Sequence, residues 1–187
     1  MQTKQKLIES AKSDFLEFGF KNASLRRICK NADVTTGALY FFFKNKEDLF
    51  EAVISEPLAL FKKMFERLVN AEFTDASAFE SSEEEMIRFL LRYRTEVVII
   101  LEKSEGTKYE DFKAKYLQTL ESVFARFFGK YLKDPDPKLV HIVTAMRFYG
   151  YLEILYGDHT EEESVQLAKK IGVYADAGFE GLIRSLT

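Results

Sequence analysis

Apolar residues recur every three or four positions through almost the whole chain, the period of a helix that buries one side. Leu7, Ala11, Phe15 and Phe18 form one such row; Leu25, Ile28, Cys29 and Ala32 form the next. Further rows follow at Leu49, Phe50, Val53 and Ile54, at Leu58, Phe61, Met64, Phe65 and Leu68, and at Met86, Phe89, Leu90 and Tyr93. A longer row joins Phe112, Tyr116, Leu120, Val123, Phe124 and Phe127. Only Val97-Val98-Ile99-Ile100-Leu101 would also suit a buried strand. A lone strand has no partner, so this run too is read as helix. The pattern predicts an all-α fold.

Punctuation divides the helices. Gly19 supplies a stop. Ser24 and Thr35 are N-caps for a second and a short third helix, the latter ending near Phe43. Asn45 with Asp48 resembles a capping box that starts a fourth, and Thr160 with Glu163 opens the last. Pro57 falls inside the fourth pattern, which predicts a kink or a helix pair, and a domain junction there. Asn70 to Ser82 is small and polar and reads as a loop, with Ser82 and Glu85 as a capping box after it. Glu105-Gly106-Thr107 and Asp134-Pro135-Asp136-Pro137 are breaks.

Charge is unevenly placed. Residues 1–50 hold nine Lys/Arg and six Asp/Glu, a net of +3, and the rest of the chain carries −6. Between Lys21 and Lys46, six basic residues face Asp33 alone. A basic end on an acidic protein points to a polyanion at that end. The single cysteine, Cys29, excludes an internal disulfide framework, and two distant histidines give no zinc cluster. No apolar run is long enough to span a bilayer and the start lacks a secretory core, so a cytoplasmic protein without a membrane partner is expected. No phosphate loop or nucleophile elbow is present. Glu83-Glu84-Glu85 and Glu161-Glu162-Glu163 suit helix starts better than catalysis.

Ser24 to Phe43 reads as helix, tight turn, short helix, with basic flanks: the helix-turn-helix arrangement, whose second helix enters the DNA major groove. Leu39 and Phe43 lie one turn apart and face the core, whereas Thr36 and Tyr40 lie one turn apart on another face. Gly37 inside a helix costs about 1 kcal/mol against Ala, which implies a need for close approach. Many helical domains join two helices by four residues without binding DNA, so the pattern alone leaves both readings open.

The run G-F-K-N-A-S-L-R-R-I at residues 19–28, followed in register by V-T-T-G-A-L-Y and F-F-F-K-N-K-E-D-L at 34–49, resembles the N-terminal domain of TetR-family transcriptional regulators. The likeness covers roughly residues 4–54. It implies a three-helix DNA-binding domain over 1–54 and a larger helical ligand-sensing and dimerisation domain over 55–187. It further implies that Ser24, Tyr40, Lys44 and Lys46 meet phosphates, that Thr35 and Thr36 open the recognition helix, and that Gly37 permits close approach. Departures stand at five positions. Ala23 stands where threonine is common, and Asp33 where the turn usually has glycine. Phe41 and Phe42 replace tyrosine or histidine. One of the two could press on a thymine methyl or a sugar, or form the edge of the core, and Phe41 is counted among the DNA-contacting residues. Arg27 often corresponds to an acidic residue, and the reversal strengthens the local positive field.

The resemblance also implies a homodimer on double-stranded DNA, acting as a ligand-responsive repressor on an inverted repeat. No cofactor or metal is implied beyond a small-molecule effector. The aromatic residues Phe89, Tyr93, Phe112, Tyr116, Phe148, Tyr149 and Tyr151 could line a pocket for an apolar or aromatic effector, or serve as core. Residues 142–157 carry only Arg147 and Glu153 as charges, and the last helix is rich in Gly and Ala. This favours Tyr151, Ile154, Leu155, Ala175, Gly178 and Leu182 as dimer contacts, against an ordinary intrachain core. The rival to a DNA regulator is a helical interaction module that has lost DNA binding. An enzyme is a further alternative.

Overall fold

The structure, a computed structural model, describes residues 2–74 and 76–187, without the side chains of 68 and 71–83. Among the described residues the elements are nine helices and no strand: α1 (Gln2–Asn22), α2 (Leu25–Asn31), α3 (Thr36–Phe42), α4 (Lys46–Thr74), α5 (Ala76–Arg92), α6 (Arg94–Glu102), α7 (Phe112–Phe128), α8 (Pro137–Tyr156) and α9 (Glu161–Leu186). The all-α reading of the periodicity holds, and Val97 to Leu101 lies within α6.

The chain divides into two compact units. The first comprises residues 1–63 and 93–113. Its core is built from Leu7, Ala11 and Phe15 of α1, Ile28 and Cys29 of α2, Leu39 of α3, and Leu49, Phe50, Val53 and Ile54 of α4. Ile99 and Ile100 of α6 complete it. Phe15, Phe20 and Phe50 meet with ring centroids 5.2–6.0 Å apart. Gly19 interrupts α1 at φ 73°, ψ 161°, a conformation open essentially only to glycine. The turn it makes sends Phe20 inward and aims its N–H at the Lys103 carbonyl, 2.8 Å away. Lys12 reaches the buried Glu96 carboxylate at 2.7 Å, a second tie between α1 and α6. The unit therefore draws a helix–loop segment from far along the chain into the helix-turn-helix core.

The second unit comprises residues 64–92 and 114–187. Ile87, Val165 and Ala168 form a buried cluster between α5 and α9, flanked by Leu91, Tyr151 and Ile154. Phe127 and Phe128 of α7 pack on Phe179 of α9, at 4.6 and 4.9 Å. Asp136 caps α8 by accepting the Lys138 N–H, and Pro137 fills the first helical position, where no donor is needed. The Thr160–Glu163 capping box at the start of α9 is present in both directions. The bonds to Thr160 hold the Glu163 carboxyl below the usual carboxylate range.

Three expectations need correction. Of the two forms expected at Pro57, the helix pair is not found: α4 is one element from Lys46 to Thr74. Only one intrahelical bond is lost, because proline lacks the N–H that would reach the Val53 carbonyl. Residues 70–82 are helix on either side of 75 rather than loop. Small polar residues signal solvent, not backbone conformation, and the stretch contains neither Gly nor Pro. Ser82 and Glu83-Glu84-Glu85 accordingly stand inside α5, not at its start; the Ser82 and Glu83 side chains lie outside the described residues. Glu84 is instead an ion-pair partner of Lys169 and Arg88, which lower its carboxyl from the ordinary value.

Candidate nucleic-acid interface

The start of α2 is fixed by one buried carboxylate. Asp14, 3% exposed, accepts the Ser24 N–H at 2.9 Å and a two-pronged bond from the Arg27 guanidinium. The Ser24 Oγ in turn accepts the Arg27 N–H at 3.4 Å. Ser24 is thus the N-cap foreseen in the sequence, and accepting that bond leaves its hydroxyl hydrogen as a donor. Arg27 corrects the expectation of a stronger positive field. Its charge is met by Asp14, and its plane lies over Phe18, 3.7 Å from the ring centroid.

The turn follows from local hydrogen bonds. The Ala32, Asp33 and Val34 N–H groups bond back to the Ile28, Lys30 and Cys29 carbonyls. Asp33 adopts φ 53°, the left-handed conformation usually supplied by glycine and tolerated by Asp. Thr35 then caps α3 through its Oγ1, which accepts the Ala38 N–H at 3.2 Å. α3 has seven residues and is anchored from behind by Leu39, fully buried, and by Phe43 at its end. Thr35, Thr36, Gly37, Tyr40 and Phe41 are all exposed. Burial pushes the Cys29 thiol up, and the neighbouring Thr36 hydroxyl opposes that rise.

At Gly37 an added Cβ would meet nothing nearer than Thr35 Oγ1 at 4.0 Å. The protein itself does not require glycine there. Lys44 is exposed, and its backbone N–H bonds Asp48, whose own N–H bonds Asn45 at 2.8 Å. The box at the start of α4 thus reaches back to Lys44 rather than to Asn45. Lys46 is the residue whose surroundings the sequence did not reveal. Its ammonium bonds the Lys21 and Ala23 carbonyls at 3.2 and 3.3 Å and sits 4.6 Å from the Phe20 ring centroid. It therefore ties the start of α4 to the link between α1 and α2. Arg26 and Lys30, exposed one turn apart on α2, are basic residues the motif reading passed over. Their four-residue spacing was the available signal.

The suggested effector residues do not form one set. Phe89 and Phe148 are buried in the second unit, where Tyr116 stacks edge-on with Phe148 at 5.9 Å and with Phe65 at 5.3 Å. Burial pushes the Tyr116 phenol well up. Phe112 packs against the core of the first unit, and Tyr93 precedes α6 there. Tyr149 is exposed, and Tyr151 flanks the α5–α9 cluster. Of the suggested dimer contacts, Leu155 is buried within its own chain and Ile154 flanks the same cluster as Tyr151. Burial removes Leu155 from any outer surface; its position on α8 puts it among residues that pack inward. Ala175 and Leu182 are half-buried, and Gly178 is exposed, with open space where a Cβ would lie. The large exposed apolar residues of these helices are others: Ile142, Met146, Tyr149 and Tyr156 on α8, and Val173, Tyr174 and Leu186 on α9. No helix of the described residues is long and apolar enough to cross a membrane, and none of their His, Cys, Asp and Glu side chains group as a metal site.

Residues 7–53 match the family model of bacterial regulatory proteins, tetR family. Over 175 residues the chain is 27% identical to the HTH-type transcriptional regulator UidR of Escherichia coli (strain K12), covering 90% of this chain and 85% of that protein. It is 26% identical over 174 residues to the probable HTH-type transcriptional regulator YttP of Bacillus subtilis (strain 168), covering 83% and 80%. Among solved structures, SCO3833 of Streptomyces coelicolor A3, a TetR-family member, shares the fold with a TM-score of 0.67 at 19% identity, covering 87% of each chain. A TerR/AcrR-family transcriptional regulator from Aquifex aeolicus VF5 does so at 0.59 and 23%, covering 92% of this chain and 99% of that one. The matched segment is the one that buries Leu39 and exposes the threonines and Tyr40 of α3, so the chain carries a tetR-family DNA-binding domain and is similar over most of its length to HTH-type transcriptional regulators.

Proposed function

We propose that this regulator is a homodimeric, ligand-responsive repressor that acts in the cytoplasm on an inverted-repeat operator. The observation that carries the reading is the division of α3: a buried Leu39 behind and an exposed row of Thr35, Thr36, Gly37, Tyr40 and Phe41 in front. Two such helices, about 34–36 Å apart in a dimer, would enter successive turns of one major groove face. Ser24, Tyr40 and Lys44 would donate to phosphates at the groove edge. Lys46 would add its charge from the helix start while holding the α1–α2 link.

The dimer rests on α8 and α9. The buried row Val140, Thr144, Phe148, Leu152 and Leu155 uses one side of α8. On another side Ile142, Met146, Tyr149 and Tyr156 leave an apolar stripe exposed, and Val173 and Tyr174 of α9 are more than two-thirds exposed. Gly150, Gly178 and Gly181 have open space where a Cβ would lie. A two-fold contact of such faces buries the stripe against its own copy. An effector would bind residues 55–187, with Phe89, Tyr116 and Phe148 as the apolar candidates of the second unit. It would release DNA only through unequal affinity for the two states.

The test is selection of bound fragments from random duplex DNA by the full chain. Recovery of an inverted repeat with half-sites about one helical turn apart supports the reading. Recovery of no preferred sequence, with binding that stays flat as salt rises, contradicts it.

A further inference from the structure

We infer that Phe41 is a specificity-determining residue that reads the C5-methyl group of a thymine in each half-site. The inference rests on the DNA-binding reading of α3 and extends it. Phe41 is 82% exposed, more than any other large apolar side chain of the described residues. A ring so placed is not core. It is not loose either: it meets Phe42 edge to face at 5.0 Å and 88°, and Phe42 packs against the first unit's core. The ring is thus held outward by an anchored neighbour.

Its surroundings select the target. Gly37 lies one turn before Phe41 on the same helix strip and carries no side chain, so the strip ahead of the ring is open. Nothing inside the protein demands that opening, as the absence of close atoms around a Gly37 Cβ shows. A phenyl ring can neither donate to a phosphate nor pair with a base edge. The apolar feature that unmodified DNA offers in the major groove is the thymine methyl. The polar groups of the adjacent strip, Thr36 and Tyr40, would hold the helix to base edges and backbone beside that contact.

The experiment uses the full chain and the duplex recovered by selection from random DNA. Each thymine is replaced in turn by deoxyuracil, which deletes the methyl group and keeps every hydrogen-bonding atom. Loss of one buried methyl corresponds to about a fourfold weaker contact. The expected result is one thymine per half-site whose replacement weakens binding about fourfold for the unaltered protein. In Phe41→Ala the same replacement has no further effect, and that variant keeps its thermal midpoint. Equal loss from the uracil replacement in both proteins overturns the inference, as does the absence of any methyl-sensitive position. Selection that recovers no duplex overturns the DNA-binding reading itself, and the two failures are thereby told apart.

Discussion

Leu39→Ala separates what holds the recognition helix from what it presents. α3 has seven residues, well below the roughly 12–15 at which an isolated helix becomes even marginal in water. It persists because Leu39 is fully buried and Phe43, at its C-terminal end, is 2% exposed. Leu-to-Ala changes in packed cores cost about 2.7–5 kcal/mol. With Phe43 still in place the lower end applies, about 3 kcal/mol. For a chain of this size that lowers the unfolding midpoint by roughly 6–12 °C. Circular dichroism during heating measures the shift, and DNA affinity should fall with it because the helix loses its seat. Tyr40→Ala is the partner experiment. Its side chain is 56% exposed, so the midpoint should stay within about 2 °C while DNA affinity falls. If Leu39→Ala melts within about 2 °C of the unaltered chain, the anchoring argument is wrong. If Tyr40→Ala melts as early as Leu39→Ala, Tyr40 is core and the outward face has been misassigned.

Other perturbations address the remaining structure. Gly19→Ala forces an L side chain into φ 73°, ψ 161° and should destabilise by about 1–3 kcal/mol, read in a urea titration. Lys12 feels burial, which lowers its pKa, but bonds to Glu96 and Glu9 outweigh it and leave the pKa raised. Its folded value thus lies above its unfolded one. The stability it contributes is complete below about pH 10.5 and is lost as pH rises through the folded value. The midpoint difference between the unaltered chain and Lys12→Met should therefore shrink with rising pH in alkaline thermal scans. Met146→Glu and Tyr174→Glu place charges on exposed apolar positions, so they should leave the fold intact and shift sedimentation from dimer to monomer.

The helix-turn-helix was legible because its signals are local. Ser24, Thr35 and the Asn45–Asp48 pair act on donors within three residues, and each makes the bond its spacing implied. Leu39 and Phe43 were placed by a one-turn rule that depends on nothing distant. Long-range partners were another matter. Lys46 reads as a phosphate contact alone, and nothing local shows that its ammonium also bonds the Lys21 and Ala23 carbonyls, 25 and 23 residues away. Arg27 reads as a free positive charge until Asp14, buried in α1, is found beneath it. Ile99 and Ile100 gave no hint that they complete the first core rather than the second. α8 is apolar on two sides, which the sequence displays, but which side packs inward depends on the neighbouring helices. Leu155 was for that reason assigned outward when it is buried, and Ile142 and Met146 were passed over.

Site-directed crosslinking tests most directly whether the outer face of α3 meets DNA. A photoreactive benzoylphenylalanine is placed at Phe41 in the full chain, with a second protein carrying it at exposed Tyr131 for comparison. Each is irradiated on the selected duplex, and the attached nucleotides are mapped. Covalent attachment from position 41 to bases in both half-sites, about one helical turn apart, is the expected result. Attachment from position 131 but none from position 41, on a duplex that both proteins bind, would contradict it.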